Sequence, residues 1–147
     1  MDPAQRQKLE ALLKSEHIAV LVTQGEPWPT ATMQAYAETP ELDLVFIMRE
    51  ESERFQNLRA QPRAAVFIDD RARGDAAKFR ISRALIQGTA AEVARGGAEW
   101  EELKALFLWK NPFEAVFFEL SSLRMIRLTP HRVSYTGADH SVFKADF

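Results

Sequence analysis

The sequence predicts a mostly β protein with a minor helical part, built as an antiparallel barrel with flanking helices rather than a doubly wound parallel sheet. Three observations carry this. Six or seven segments of strand character fit into 147 residues. The links between them are short, and Gly, Pro, Asn and Asp turn signals recur between strands. Apolar residues make up 46% and charged residues 27%, an ordinary globular balance for one domain able to bury a core.

Taken in order, Asp2-Pro3 starts a helix through residue 16, because Asp caps and Pro suits the first helical position. Leu9, Leu12 and Leu13 share one face of it. His17 to Thr23 is apolar and β-branched, a buried strand, and Gln24-Gly25-Glu26-Pro27-Trp28-Pro29 is a turn. Thr30 to Glu38 alternates, with Ala31, Met33, Ala35 and Ala37 on one face and Thr30, Thr32, Gln34 and Tyr36 on the other. Leu42 to Met48 is an apolar strand, Phe55 to Ala60 a short helix ended by Pro62, and Ala64 to Ile68 another apolar strand. Asp69 to Ala77 is a polar loop. Phe79 to Val93 is a long strand, in which Gly88 marks a bulge or a close approach. Gly96-Gly97 breaks the chain before an amphipathic helix, Glu99 to Trp109, which Asn111-Pro112 ends. Val116 to Leu120 and Leu123 to Leu128 are expected as strands, or as one long bent strand, with Arg132 to Thr136 a short last strand. The barrel then covers 17–136, and 137–147 is a tail without a period.

A formal net charge of −2 argues against a dedicated nucleic-acid binder, which needs a clustered cationic face. With no cysteine there is no disulfide framework, thiolate metal site or cysteine nucleophile. His17, His131 and His140 lack metal-ligand spacing, so no metal site is expected. The first residues lack a signal peptide's apolar core, and no apolar run approaches membrane-spanning length. The expectation is a soluble cytoplasmic protein with no nucleic-acid or membrane partner.

Leu42 to Asp70 is the most informative stretch: strand, polar turn, short helix, strand. The turn Arg49-Glu50-Glu51-Ser52-Glu53-Arg54 sets a hydroxyl and a guanidinium where a helix begins, and a helix N-terminus suits a phosphate. Arg offers a planar fork to a dianion. The plainer reading has Ser52 capping the helix and Arg54 on its surface, with Glu50, Glu51 and Glu53 satisfying the dipole without a ligand. Arg71, Arg73, Lys78, Arg80 and Arg83 form a second basic cluster, able to attract an anionic substrate such as a nicotinamide nucleotide or to make cross-strand ion pairs. No Ser-His-Asp order, P-loop or strand-linked Gly-x-Gly-x-x-Gly is present.

From about His17 to Tyr135, this order of elements resembles the FMN-binding split-barrel family, which includes the pyridoxamine 5′-phosphate oxidases. The residues that carry it are the polar-alternating strand Pro29 to Tyr36, the apolar strand 42–48, Ser52-Glu53-Arg54, a helix with Leu58, Gln61-Pro62-Arg63, and Gly88-Thr89-Ala90. The resemblance implies an antiparallel split β-barrel and a homodimer with FMN at the subunit interface. By position, Ser52 and Arg54 would hold the phosphate. Ile47 and Met48 would run beside the rings, and Thr32 and Gln34 would hydrogen-bond the flavin or ribityl chain. Arg83 and Gln87 lie near the family's later flavin-contact strand, and Trp109 would make a dimer contact or reach the partner's flavin.

The chain departs from the pattern in three places. Met48 stands where the family often has Thr, Glu53 replaces one of two cations after the Ser, and no Arg-x-His substrate motif is present. The last point speaks against vitamin B6 oxidation. The expected activity is an FMN-dependent oxidoreductase of unassigned substrate. The open alternatives are a non-catalytic dimeric flavin or haem carrier, sensor or store, with His131 or His140 as haem ligand, and a deazaflavin-dependent reductase on the same fold.

Overall fold

The structure, a computed structural model, describes residues 1–147. Its elements are α1 (Pro3–Ser15), β1 (Ile18–Thr23), β2 (Thr30–Ala35), β3 (Ala37–Glu38), β4 (Leu44–Arg49), α2 (Glu53–Ala60), β5 (Arg63–Asp69), β6 (Arg83–Val93), α3 (Ala98–Lys110), β7 (Leu123–Thr136) and β8 (Val142–Asp146). Two 3₁₀ segments, Ala76–Lys78 and Pro112–Glu119, interrupt the loops. The strands form one antiparallel sheet in the order β2-β1-β5-β6-β7-β4-β3, with β8 on β7. It curls into the antiparallel split barrel expected from the turn chemistry.

Local rules account for most elements. Asp2 accepts from the Gln5 backbone N–H while the Gln5 side chain accepts from the Asp2 N–H, a capping box that fixes the start of α1. The buried face of α1 is Leu9, Leu12 and Leu13, which pack with Leu21, Phe46, Val66, Ile86 and Val133 in the barrel interior. β4 is buried on both faces, which is why it reads as an unbroken apolar run. Leu44, Phe46 and Met48 belong to the interior, while Val45 and Ile47 pack under Trp100, Leu103 and Phe107 of α3.

Several expectations need correction. Thr30 to Glu38 is two strands, broken at Tyr36, which is buried and donates its hydroxyl to the Leu13 carbonyl at 2.8 Å. Phe79 is not in a strand; it caps a 3₁₀ turn in the left-handed region at φ 55°, and β6 begins four residues later at Arg83. Val116 to Leu120 is not a strand either, since Pro112–Glu119 is a 3₁₀ helix. Leu123 to Thr136 is one strand that passes through Pro130. It can do so because a bulge lies there: Gly88 pairs with Pro130 and Gln87 with Arg132, leaving His131 without a register partner on β6. The tail is not structureless, since Val142–Asp146 adds β8 as an edge strand.

Candidate functional site

The candidate site lies where β4 ends and α2 begins. Ser52 caps α2: its Oγ accepts from the Phe55 N–H at 3.4 Å and donates to the Arg49 carbonyl at 2.7 Å. Gln56 steadies the turn by donating to the Glu50 carbonyl at 2.7 Å. Of the three carboxylates, only Glu53 falls in the first turn of the helix. Glu51 pairs with Arg49, and Glu50 with Arg124 at 2.8 Å. Arg54 is left without a hydrogen bond or a counter-charge, and its Nε is fully covered with no acceptor. Burial pulls its pKa below the usual guanidinium value, although Arg remains charged.

Opposite α2 lies the polar face of β2. Thr30 Oγ1 meets Thr23 Oγ1 at 2.8 Å and accepts from Asn57 Nδ2 at 3.2 Å. Arg54 lies three residues before Asn57 on the same side of α2, so it faces the next part of the strand. There Thr32 Oγ1 is also covered and unpartnered. Two neighbouring elements thus each present a buried polar atom with nothing to bond, which is costly unless a ligand meets them.

Gln34, Ile47, Met48 and Arg54 line one cleft of about 210 Å³, with Met33, Ala35, Arg49, Glu114, Phe117 and Leu123. The Glu114 carboxylate has no ion-pair or hydrogen-bond partner, and burial raises its pKa above the usual value. One wall is the 3₁₀ segment Pro112–Glu119, strapped down by Arg95. This guanidinium donates to the carbonyls of Leu120 at 2.8 Å, Leu123 at 3.0 Å and Phe118 at 3.2 Å, and lies 5.3 Å over the Trp100 ring.

The remaining expected residues do not line this cleft within one chain; Thr32 lies on the adjoining stretch of β2 and is not part of the cleft wall. Ser52 is adjacent, its hydroxyl engaged in the cap. Arg83 stacks on Phe79 at 4.8 Å, Gln87 lines a separate cavity of about 580 Å³, and Trp109 is 88% exposed on α3. Three members of the basic loop cluster are neutralised: Arg71 by Asp69, Arg73 by Glu16 and Lys78 by Asp75. Glu114 and Phe117 were not expected in the site: Phe117 falls in the expected strand Val116 to Leu120 and Glu114 just before it. Phe113, Val116, Phe117 and Leu120 are spaced i, i+3, i+4, i+7, a helical signal that was there to be read.

Outside the cleft, β2 turns its small apolar face outward, and Met33 is 72% exposed. The register extends that face across the sheet. Met33 opposes Val20, Val20 opposes Phe67, and Phe67 opposes Leu85, with Ala31, Val22 and Ala65 in the next row.

Solved structures support the same fold. A heme-binding protein from Mycobacterium smegmatis superposes with a TM-score of 0.87 at 19% identity, over 99% of this chain and 59% of that one. A FAD-binding protein from Mesorhizobium loti superposes at 0.70 with 15% identity, over 88% and 90% of the two chains. A heme storage protein from Vibrio cholerae gives 0.66 at 14% identity, over 85% and 89%. This chain therefore spans about three-fifths of the mycobacterial protein's length. No match was found among curated proteins. Residues 5–137 match the sequence profile of pyridoxamine 5′-phosphate oxidase, and with the barrel this shows that the chain belongs to that family.

Proposed function

We propose that this chain is an FMN-binding flavoprotein, acting as a homodimeric oxidoreductase. The observation that carries the reading is the pair of covered, unpartnered atoms Arg54 Nε and Thr32 Oγ1, on two elements that face each other. The residues present suit the cofactor. Arg54 offers a fork to the phosphate beside the start of α2. Gln34 can hydrogen-bond the flavin or its ribityl chain, and the backbone at Ile47 and Met48 can run along the rings. Ser52 contributes as the cap that keeps the helix start in place. The bound FMN would supply the electron-transfer chemistry, while this chain binds it, orients it and keeps water away.

The homodimer reading rests on two features. The cleft, about 210 Å³, is smaller than the roughly 300–1,000 Å³ usual for a ligand site, so a second wall is needed. The apolar band beginning at Met33, itself a cleft residue, is uncharged and can meet its own copy across a two-fold axis. In such a dimer, Arg83 and Trp109 would serve the partner's cleft.

A haem-binding reading is weaker on the residues. His131 lines the larger cavity, but its Nε2 is already hydrogen-bonded to Thr89 Oγ1 at 2.8 Å. A deazaflavin would present the same phosphate to Arg54. The visible absorption spectrum of the native protein, with the mass of any released chromophore, separates these readings. A flavin double band with FMN released supports the proposal. A colourless protein that stays colourless after FMN is added removes it, and a haem Soret band replaces it.

A further inference from the structure

The larger cavity, about 580 Å³, lies apart from the cleft, beside the end of β1, the start of β5 and the bulged middle of β6 and β7. Its floor is small: Ala64, Ala65 and Gly88. The bulge that leaves His131 without a register partner shapes one side of it. Around the rim stand Arg63, His131 and Arg132. Arg63 has no carboxylate partner; its Nε reaches only the Gln61 amide oxygen, at 3.4 Å. Asp146 is the one carboxylate side chain in the lining, and it is engaged by Arg132 Nε at 3.2 Å. Arg63 thus differs from Arg71, Arg73 and Lys78, each of which has an acidic partner.

We propose that this cavity is a second small-molecule site, for a phosphate-bearing organic molecule, with Arg63 and Arg132 as its charge-pairing residues. The Arg63 fork, the part of the Arg132 fork that Asp146 leaves free, the Gln87 amide and the one donor left by the Thr89–His131 hydrogen bond give more donors than a carboxylate's two oxygens can use. A phosphate, with three acceptor oxygens and up to two charges, can use them. The volume leaves room for an organic portion over the Ala and Gly floor. The site stands independently of the flavin reading; it shares Val22 and Ala65 with the apolar band of the homodimer reading, and so requires that the dimer contact leave this end of the band open.

The test uses inorganic pyrophosphate as the probe, titrated into ¹⁵N-labelled protein freed of any chromophore. Expected are saturable amide shifts at Gly88, Thr89 and Arg132, with little change around Arg54. The double substitution Arg63→Ala with Arg132→Ala should weaken that binding by about tenfold or more, as loss of charge-assisted hydrogen bonds requires. Both side chains are exposed, so folding should persist; should the double variant lose its dispersed spectrum, Arg63→Gln alone gives the same comparison. FMN affinity should be unchanged in the double variant and lowered by Arg54→Ala. No shifts at millimolar pyrophosphate, or equal affinity in both proteins, overturns the site, including the case in which a second copy fills the cavity. A fall in FMN affinity in the double variant but not in Arg54→Ala overturns it too, by moving the flavin here.

Discussion

Gly88 and Thr129 approach so closely that a Cβ on Gly88 would stand 2.3 Å from the Thr129 carbonyl oxygen. No real side-chain carbon tolerates that distance to a backbone atom, so this strand pair can close only with glycine on one side. Gly88→Ala should destabilise the fold by about 2 kcal/mol or more, as overpacking does. Urea denaturation of the two proteins at one pH measures it. An unchanged midpoint would mean that β7 moves aside freely.

Tyr36 ties α1 to the sheet, and its environment makes stability depend on alkaline pH. The phenol is buried and faces the carboxylates of Glu38 and Glu16, so its pKa lies above the ordinary value of 10.0. The unfolded chain releases this proton near pH 10 while the folded protein keeps it. The stability contributed is therefore present below about pH 10 and is lost as pH rises from there toward the folded value. Lys110, whose Nζ lies 4.1 Å from the Tyr36 ring centroid and pairs with Glu38, has its pKa lowered by burial and acts in the opposite sense just below its ordinary 10.5. The difference between wild type and Tyr36→Phe isolates the phenol. Its removal should flatten the loss of melting temperature between pH 9.5 and 11, a range set by the ordinary phenol value.

Met33 heads the apolar band proposed to pair with a second copy. Met33→Glu sets like charges against each other across a two-fold contact, so light scattering should find a dimer in wild type and a monomer in the variant. Flavin affinity should fall with it. A dimer that survives the substitution would put the interface elsewhere.

Arg95 does not itself line the cleft, yet it holds the wall that carries Glu114 and Phe117 through four backbone carbonyls, one of them that of the cleft residue Leu123. Arg95→Ala should cost about 1–3 kcal/mol of stability through those lost charge-assisted bonds. Amide exchange in residues 112–120 should quicken more than exchange in β5 or β6. Uniform quickening would make Arg95 a general stabiliser instead.

Much of the fold was legible because single-element physics decides it. The Asp2 capping box, the doubly buried β4 and the Gly88 close approach each leave a local signature. Other features depend on what lies across the sheet. Pro130 looks like a strand end until Gly88 is seen opposite it, bulged against it. β8 carries only Phe143 and Ala145 on its packed face, too little alternation to stand out in a tail. In the candidate site, the β4–α2 turn was legible as a helix start with a hydroxyl and a cation. The roles of the glutamates were not, because Glu50 and Glu51 are claimed by Arg124 and Arg49, a matter of tertiary placement. Phe117 was hidden because Val116 to Leu120 reads as a strand, and Glu114 because it falls in the link before that segment.

The central claim is that Arg54, half-buried with its Nε covered, is left without a partner because it serves a phosphate. Titration of chromophore-free protein with FMN, followed by flavin fluorescence, tests it when wild type is compared with Arg54→Ala and with riboflavin as a ligand lacking the phosphate. The account predicts that Arg54→Ala weakens FMN binding by about tenfold or more and leaves riboflavin binding nearly unchanged. Equal FMN affinity in the two proteins, or the same loss for riboflavin as for FMN, would contradict it.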